Sequence, residues 1–154
     1  MMKTPKIVIA DLDGTIALIE HRRHWLDVSK HPDMLSDERW RRFFAACVDD
    51  SPNNPVINTL QALDDGDYEI HIFSGRSAEV HKETVKWLEE FDIPYHYLRM
   101  RPAGDFTPDE ILKRQWIAEY DLADILCVFD DRTKVVNMWR ELGLACFQVA
   151  PGDF

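Results

Sequence analysis

The sequence predicts an α/β protein, a parallel sheet covered by helices on both faces. Three observations predict it. Short apolar runs alternate with stretches of helical periodicity along most of the chain. Most of those runs are continuously apolar, as strands buried on both faces are. Three of the five expected strands end in polar clusters, DLDGT, SGR and DDR, and parallel sheets bind ligands beyond their carboxyl ends.

The elements follow in order. KIVIA at 6–10 is an apolar, partly β-branched run that stops at acidic residues, hence a buried strand followed by a loop. YEIHIF at 68–73 alternates and ends at SGR; 95–98 is a weaker strand; ILCVF at 125–129 ends at DDR; 145–149 is the last strand. Between them, 55–64 opens with proline and closes near Gly66, as helices do. Residues 78–91 space Val80, Trp87, Leu88 and Phe91 helically behind Ser77. Thr107 to Glu110 reads as a capping box for a helix reaching about residue 120. Residues 133–142 place Val135, Trp139 and Leu142 on one face before Gly143.

The segment 17–54 is too long for a simple connection between the first strand and the next helix. Within it Ser36 is the expected cap of a helix over 37–48, with Trp40, Phe43, Phe44, Cys47 and Val48 on one face. The expectation is a small helical cap over the strand ends, inserted into one domain spanning 1–154.

At 154 residues, 45% of them hydrophobic, the chain can bury a core without metal or disulfide staples. Three cysteines without CxxC spacing, Cys47, Cys127 and Cys146, lie in apolar surroundings and read as buried thiols of a reducing compartment. No apolar run approaches the ~20 residues of a membrane span, and the N-terminal stretch lacks a cleavage site. A cytoplasmic protein is expected. Eighteen basic against 28 acidic residues give a net charge of −10, which argues against an extended nucleic-acid groove. A small anionic substrate is compatible, because a metal and a few arginines can invert the field at one site.

Asp11 and Asp13 follow a buried strand, with Gly14 allowing a sharp turn and Thr15 behind it. An ionised carboxylate needs no base to act as a nucleophile. A second carboxylate can protonate the leaving alkoxide and then activate water. A calcium loop of the EF-hand type fails, because its glycine and final glutamate would fall on Ile16 and Arg22. Asp130 and Asp131 end another strand and repel each other unless a cation holds them. Mg²⁺ suits such a site, and no histidine pairing favours zinc; a solvated turn is the alternative. Ser74, Gly75 and Arg76 form a polar turn able to hold phosphate oxygens, and Lys113 is placed to balance negative charge. Alone, these last residues would be weak signals.

In the order DxDGT, Ser, Lys, DD, the motifs resemble the haloacid dehalogenase superfamily of phosphohydrolases, over essentially the whole chain. The resemblance implies a Rossmann-like five-stranded sheet of order 5-4-1-2-3, Asp11 as nucleophile and Asp13 as general acid/base. It also implies Ser74 and Lys113 on the phosphate, and Mg²⁺ held among Asp11, Asp13, Asp130 and Asp131. SGRS, MRPAGD, ILKRQWI and FDDRTKVVNMWRELGLACFQVAPGDF further look like the 3′-phosphatase domain of bacteriophage polynucleotide kinases. That likeness adds Arg76 and Arg101 as active-site residues. The sequence has no GxxxxGK loop followed by Ser or Thr, so kinase activity is not expected of it.

The segment between Asp13 and Ser74 looks more like the cap of stand-alone phosphatases. There, His21, Arg22, Arg23 and His24 read either as substrate contacts or as a solvated helix face. Trp25 and Trp40 either stack a base or belong to a core, the latter being commoner for aromatics at helical spacing. The function expected is Mg²⁺-dependent hydrolysis of a nucleotide-type phosphomonoester, first a nucleotide or polynucleotide 3′-phosphate, with 5′-nucleotidase as the alternative. A non-catalytic phospho-acceptor module is the rival from another class, but receivers place their acidic pair before the acceptor aspartate, not after it.

Overall fold

A computed structural model describes residues 3–154. Its centre is strand β1 (Ile7–Ala10), in which Val8, Ile9 and Ala10 are wholly buried. Residues too apolar to face water on either side belong in the middle of a covered sheet. Two short strands follow in sequence, β2 (Ala17–Leu18) and β3 (Ser51–Pro52), and then the remaining sheet strands. These are β4 (Glu69–Ser77), β5 (Tyr97–Arg101), β6 (Ile125–Asp130) and β7 (Cys146–Gln148). All pairings within the five-stranded sheet are parallel.

The order across the sheet is β5-β4-β1-β6-β7, which is the expected 5-4-1-2-3 when the five sheet strands alone are numbered in chain order and counted from the β7 edge. β2 and β3, which no apolar run announces, pair antiparallel in a ribbon of their own, so every later strand takes a new number.

Alternation along the strands sorts the core into two layers. Val8 and Ala10 of β1, with Ile70 and Ile72 of β4, pack against helix α2 (Asn54–Asp65) and helix α3 (His81–Glu90) through Val56, Ile57, Leu60, Trp87 and Leu88. Ile9, Phe73 and Val128 point to the other face. They meet helix α4 (Asp109–Ile117) and helix α5 (Thr133–Glu141) through Leu112, Trp116, Val135, Val136 and Trp139. Helices on opposite faces bring the strand ends that carry the polar clusters to one edge of the sheet.

Several boundaries differ from the sequence reading. β4 does not turn at SGR. It continues to Ser77, with its register against β5 breaking between Ser74 and Ser77, so residues 75–76 form an irregularity inside the strand. Such breaks re-aim side chains beside active sites. That longer partner also shifts β5 towards Arg101. Thr107 does not cap α4: Pro108 occupies the cap position, and the Thr107 carbonyl is held by Arg101 at 2.6 Å. The cap-segment helix α1 (Ser36–Ala45) takes Ser36 into its first turn, with Leu35 before it and no side-chain cap. Of its expected apolar face, Phe43 and Cys47 are buried but Val48 is exposed, because the chain passes into a 3₁₀ turn at Ala46–Asp49. Two further 3₁₀ stretches, Glu20–Leu26 and Val28–Lys30, precede α1. The three cysteines are free and buried. No helix among the described residues is long and apolar enough to cross a membrane.

Candidate active site

Asp11 continues β1 by one residue, its N–H donating to the Phe129 carbonyl at 2.9 Å. The chain then folds back on Leu12, whose carbonyl accepts from the N–H groups of Thr15, Ile16 and Ala17. Gly14 makes this return possible in two ways. Its φ is +85°, and a Cβ there would lie 2.1 Å from Asp131 Oδ2. Thr15 Oγ1 donates to Asp11 Oδ2 at 3.0 Å, and Lys113 Nζ donates to Asp11 Oδ1 at 2.7 Å and Asp130 Oδ2 at 3.1 Å. Trp139 on α5 holds Asp130 from behind, Nε1 to Oδ2 at 3.2 Å.

Asp11, Asp130 and Asp131 are all buried and each offers an oxygen within 4.8 Å of the others. Burial first, and the neighbouring Asp130 second, push the carboxyls of Asp11 and Asp131 above their ordinary range, Asp11 well above. Burial alone would lower the Lys113 ammonium, but Asp11 and Asp130 outweigh it and the net shift is upward. Three carboxylates against one ammonium leave two negative charges in a buried space. An all-oxygen donor set with that excess fits a hard divalent cation.

Asp13 is not in this cluster. Its Oδ1 accepts from Arg22 Nη2 at 2.8 Å, from Arg76 Nε at 3.1 Å and from Arg76 Nη2. Behind them lies Asp50, buried, with Oδ1 accepting from Arg22 Nε at 2.7 Å and Oδ2 from Arg22 Nη2 at 2.7 Å and Arg76 Nη2 at 3.1 Å. His21 Nε2 also lies 2.7 Å from Asp50 Oδ1, and Arg76 Nη1 reaches Thr84 Oγ1 at 3.0 Å. Two guanidiniums and two carboxylates form a balanced quartet, buried except where Asp13 meets the cavity. Burial would raise the Asp13 carboxyl, but Arg76 and Arg22 overcome it and hold Asp13 below the ordinary carboxylate range. Arg22 is 0% exposed and is not among the residues lining the cavity, so it lies on no solvated face.

The irregular end of β4 completes the site. Ser74 is buried, its Oγ accepting from the Arg76 N–H at 3.1 Å. A Cβ on Gly75 would lie 2.5 Å from Asp109 Oδ1, so the strand passes close to the start of α4. Arg101 ties the loop down, donating to the carbonyls of Gly75 at 2.8 Å and Asp105 at 3.1 Å, and to the Asp109 carboxylate. Arg132 Nη1 donates to the other Asp109 oxygen at 3.1 Å. Asp11, Asp13, Lys113, Gly75, Arg76, Arg101, Asp130 and Asp131 all line one cavity of about 710 Å³. Trp40 lines it as well. Trp25 instead stacks on His31 with centroids 4.7 Å apart, and His24 lies beside both. Arg23 also lines the cavity.

Sequence reasoning missed Asp50, Asp109 and the pairing role of Arg22. Asp50 follows another aspartate ahead of a Ser-Pro, and nothing in that pattern separates a buried acid from a solvated turn. Asp109 carried only a helix-start signal.

The sequence profile described as the polynucleotide kinase PNKP phosphatase domain matches residues 33–154. A protein of Autographa californica nuclear polyhedrosis virus described as a bifunctional polynucleotide kinase/RNA ligase is 33% identical over 143 residues, 91% of this chain and 18% of the viral protein. A chain in the solved Pnkp1/Rnl/Hen1 RNA repair complex superposes with TM-score 0.81 at 32% identity, covering 98% of this chain and 44% of that one. A haloacid dehalogenase-like hydrolase from Streptococcus pneumoniae shares the fold, with TM-score 0.64 at 12% identity, over 94% of this chain and 84% of that one. The chain therefore spans less than half the length of the first two proteins. Sheet, acidic strand ends and likenesses together define a phosphatase of the haloacid dehalogenase class. Within that class, the chain belongs to the family of polynucleotide kinase phosphatase domains.

Proposed function

We propose that this chain removes the 3′-phosphate from nucleic-acid ends, with Asp11 as nucleophile, Asp13 as general acid/base and Mg²⁺ as cofactor. The observation that carries the reading is the contrast between two neighbouring carboxylates. Asp11 stands in an anionic cluster and Asp13 in a clasp of guanidiniums, and both line one cavity. Asp11, Asp130 and Asp131 would hold the cation, which when bound supplies charge neutralisation for the carboxylates and the phosphoryl oxygens. The Asp11 carboxylate attacks phosphorus as the ester P–O bond breaks, and Asp13 delivers a proton to the departing sugar oxygen. The clasp keeps Asp13 ionised in the free site; the approaching phosphate, as a like charge, raises its affinity for the proton it delivers, and the carboxylate afterwards takes a proton from the water that cleaves the aspartyl-phosphate. Lys113 and Ser74 neutralise and orient the phosphoryl oxygens. Residues 17–54 act as the cap, since Ile19, Arg23, Trp40 and Phe43 from that segment line the cavity.

The likeness to a chain in an RNA repair complex supports a nucleic-acid end over a free metabolite as substrate. In the test, Asp11→Asn loses turnover of both p-nitrophenyl phosphate and a 3′-phosphorylated oligonucleotide, with an unchanged circular dichroism spectrum. Wild-type activity disappears with EDTA and returns with Mg²⁺. Near-normal turnover by Asp11→Asn defeats the mechanism. Turnover of 5′-mononucleotides without 3′-phosphates would hand the assignment to a 5′-nucleotidase.

A further inference from the structure

Several aromatic rings at the cavity remain unaccounted for by the chemistry above. Trp40, on α1, is 41% exposed, and Phe106, in the loop between β5 and α4, is 75% exposed, yet both line the phosphatase cavity. Neither is a loose surface residue. The Trp40 ring is braced by Phe44 at 5.6 Å, tilted 31°, and by the edge of Phe43 at 5.7 Å. The backbone on both sides of Phe106 is pinned: Arg101 Nη1 donates to the carbonyls of Asp105 at 3.1 Å and Thr107 at 2.6 Å, and the Thr107 N–H donates to Asp105 Oδ1 at 2.8 Å. A large apolar ring held out by a fixed loop into a cavity that also carries Arg41, Arg101 and Arg132 has a use for its exposure. Aromatic faces beside cationic groups are how proteins hold single-stranded nucleic acid, the rings taking bases and the cations taking phosphates.

Building on the 3′-phosphatase reading, we infer that Trp40 and Phe106 form a stacking site for the nucleobase that carries the 3′-phosphate, which selects an unpaired terminal nucleotide. The cavity of about 710 Å³ is large enough for a nucleotide and lies within the usual range for small-molecule pockets. Stacking tolerates every base, because each has a π face, so the site discriminates presence of a base and freedom from pairing rather than sequence. A base inside a duplex must first unstack to reach it.

The test compares kcat/KM for three substrates in both ribose and deoxyribose series: a short single strand with a 3′-phosphate, the same strand with an abasic 3′-terminal residue, and a blunt duplex. Wild type is expected to favour the single strand over the other two by on the order of tenfold, the scale of one stacked base. In Trp40→Ala and Phe106→Ala that preference falls towards one, a ratio insensitive to how much folded enzyme each preparation contains. Equal rates on abasic and base-bearing strands by wild type overturn the stacking site, as does a preference that survives both substitutions. A blunt duplex cut as fast as the single strand overturns the selection of unpaired ends. If wild type hydrolyses p-nitrophenyl phosphate but none of the three, the 3′-phosphatase reading falls, and the stacking site with it.

Discussion

Asp11 and Asp13 are two residues apart on one loop and have opposite surroundings. The first is crowded by carboxylates and one ammonium, the second is gripped by two guanidiniums. This division makes Asp50 testable at the residue scale, since it balances the second arginine of the clasp. Removing it leaves two buried guanidiniums against Asp13 alone. Breaking a buried ion pair from one side costs about 3–5 kcal/mol. Asp50→Asn is expected to lose that order of stability in a urea titration, and to lose activity, because Asp13 is then drawn towards the unpaired charge. A midpoint within experimental error of wild type would show that Asp50 is dispensable. The same comparison separates Asp13 by its chemistry: Asp13→Asn should slow the first step far more on a sugar phosphate than on an aryl phosphate, whose leaving group needs no proton. Equal single-turnover losses on both substrates would remove the acid role.

Among the elements, the loop after β1 is the most constrained. Gly14 and Gly143 have nearly the same φ, +85° and +84°, but a Cβ on Gly143 meets nothing within 4 Å while one on Gly14 runs into the Asp131 carboxylate. The pair isolates steric approach from backbone preference. Gly143→Ala is expected to cost about 1–2 kcal/mol of stability and leave kcat/KM unchanged. Gly14→Ala carries the same strain and must also displace the loop or Asp131. Shifts of about 1 Å near the reacting atoms cost on the order of a hundredfold in rate, so its kcat/KM should fall by that order and its Mg²⁺ dependence move to higher concentration. Equal kinetic behaviour of the two variants would mean that the loop yields without consequence.

At the scale of the molecule, the interior accounts for the thiols and the surface charge for the salt response. Burial pushes the Cys127 thiol up to about 11 and Cys146 up to about 12, and raises Cys47 as well. Raised folded values mean that the thiols stay neutral at pH 8. Their contribution to stability is complete below the unfolded value and is lost as pH rises through 11–12. A thiol reagent at pH 8 should therefore label the native protein far more slowly than the urea-unfolded chain, and labelling at the unfolded rate would contradict the burial. With a net charge of −10 and arginines gathered at one cavity, the proposed substrate is gripped at its end rather than along a tract. Salt should then affect an oligonucleotide substrate little more than a 3′-mononucleotide, since each further single-strand phosphate neutralised adds about 0.7 to the slope. A steeper slope would reveal an extended basic track.

The sequence by itself determined the five strands of the main sheet, the helices between them and the acidic strand ends, because each rests on a local pattern, whereas the β2–β3 ribbon has none. KIVIA must be buried, DLDGT must follow it, and Asp130 and Asp131 must leave the sheet on the same edge. Lys113 was a weak signal by itself and gained weight only from the aspartate motifs around it. Tertiary structure decided what charge does inside the molecule. Arg22 and Asp50 are 28 positions apart, and Asp13 and Arg76 are 63 apart. A charged side chain has no periodic signature that tells burial from exposure, since its place depends on a partner of opposite charge brought in by another element. Apolar residues are placed by their own periodicity, and buried ions by each other. That is why the core could be read along the chain, while the clasp around Asp13 required the fold.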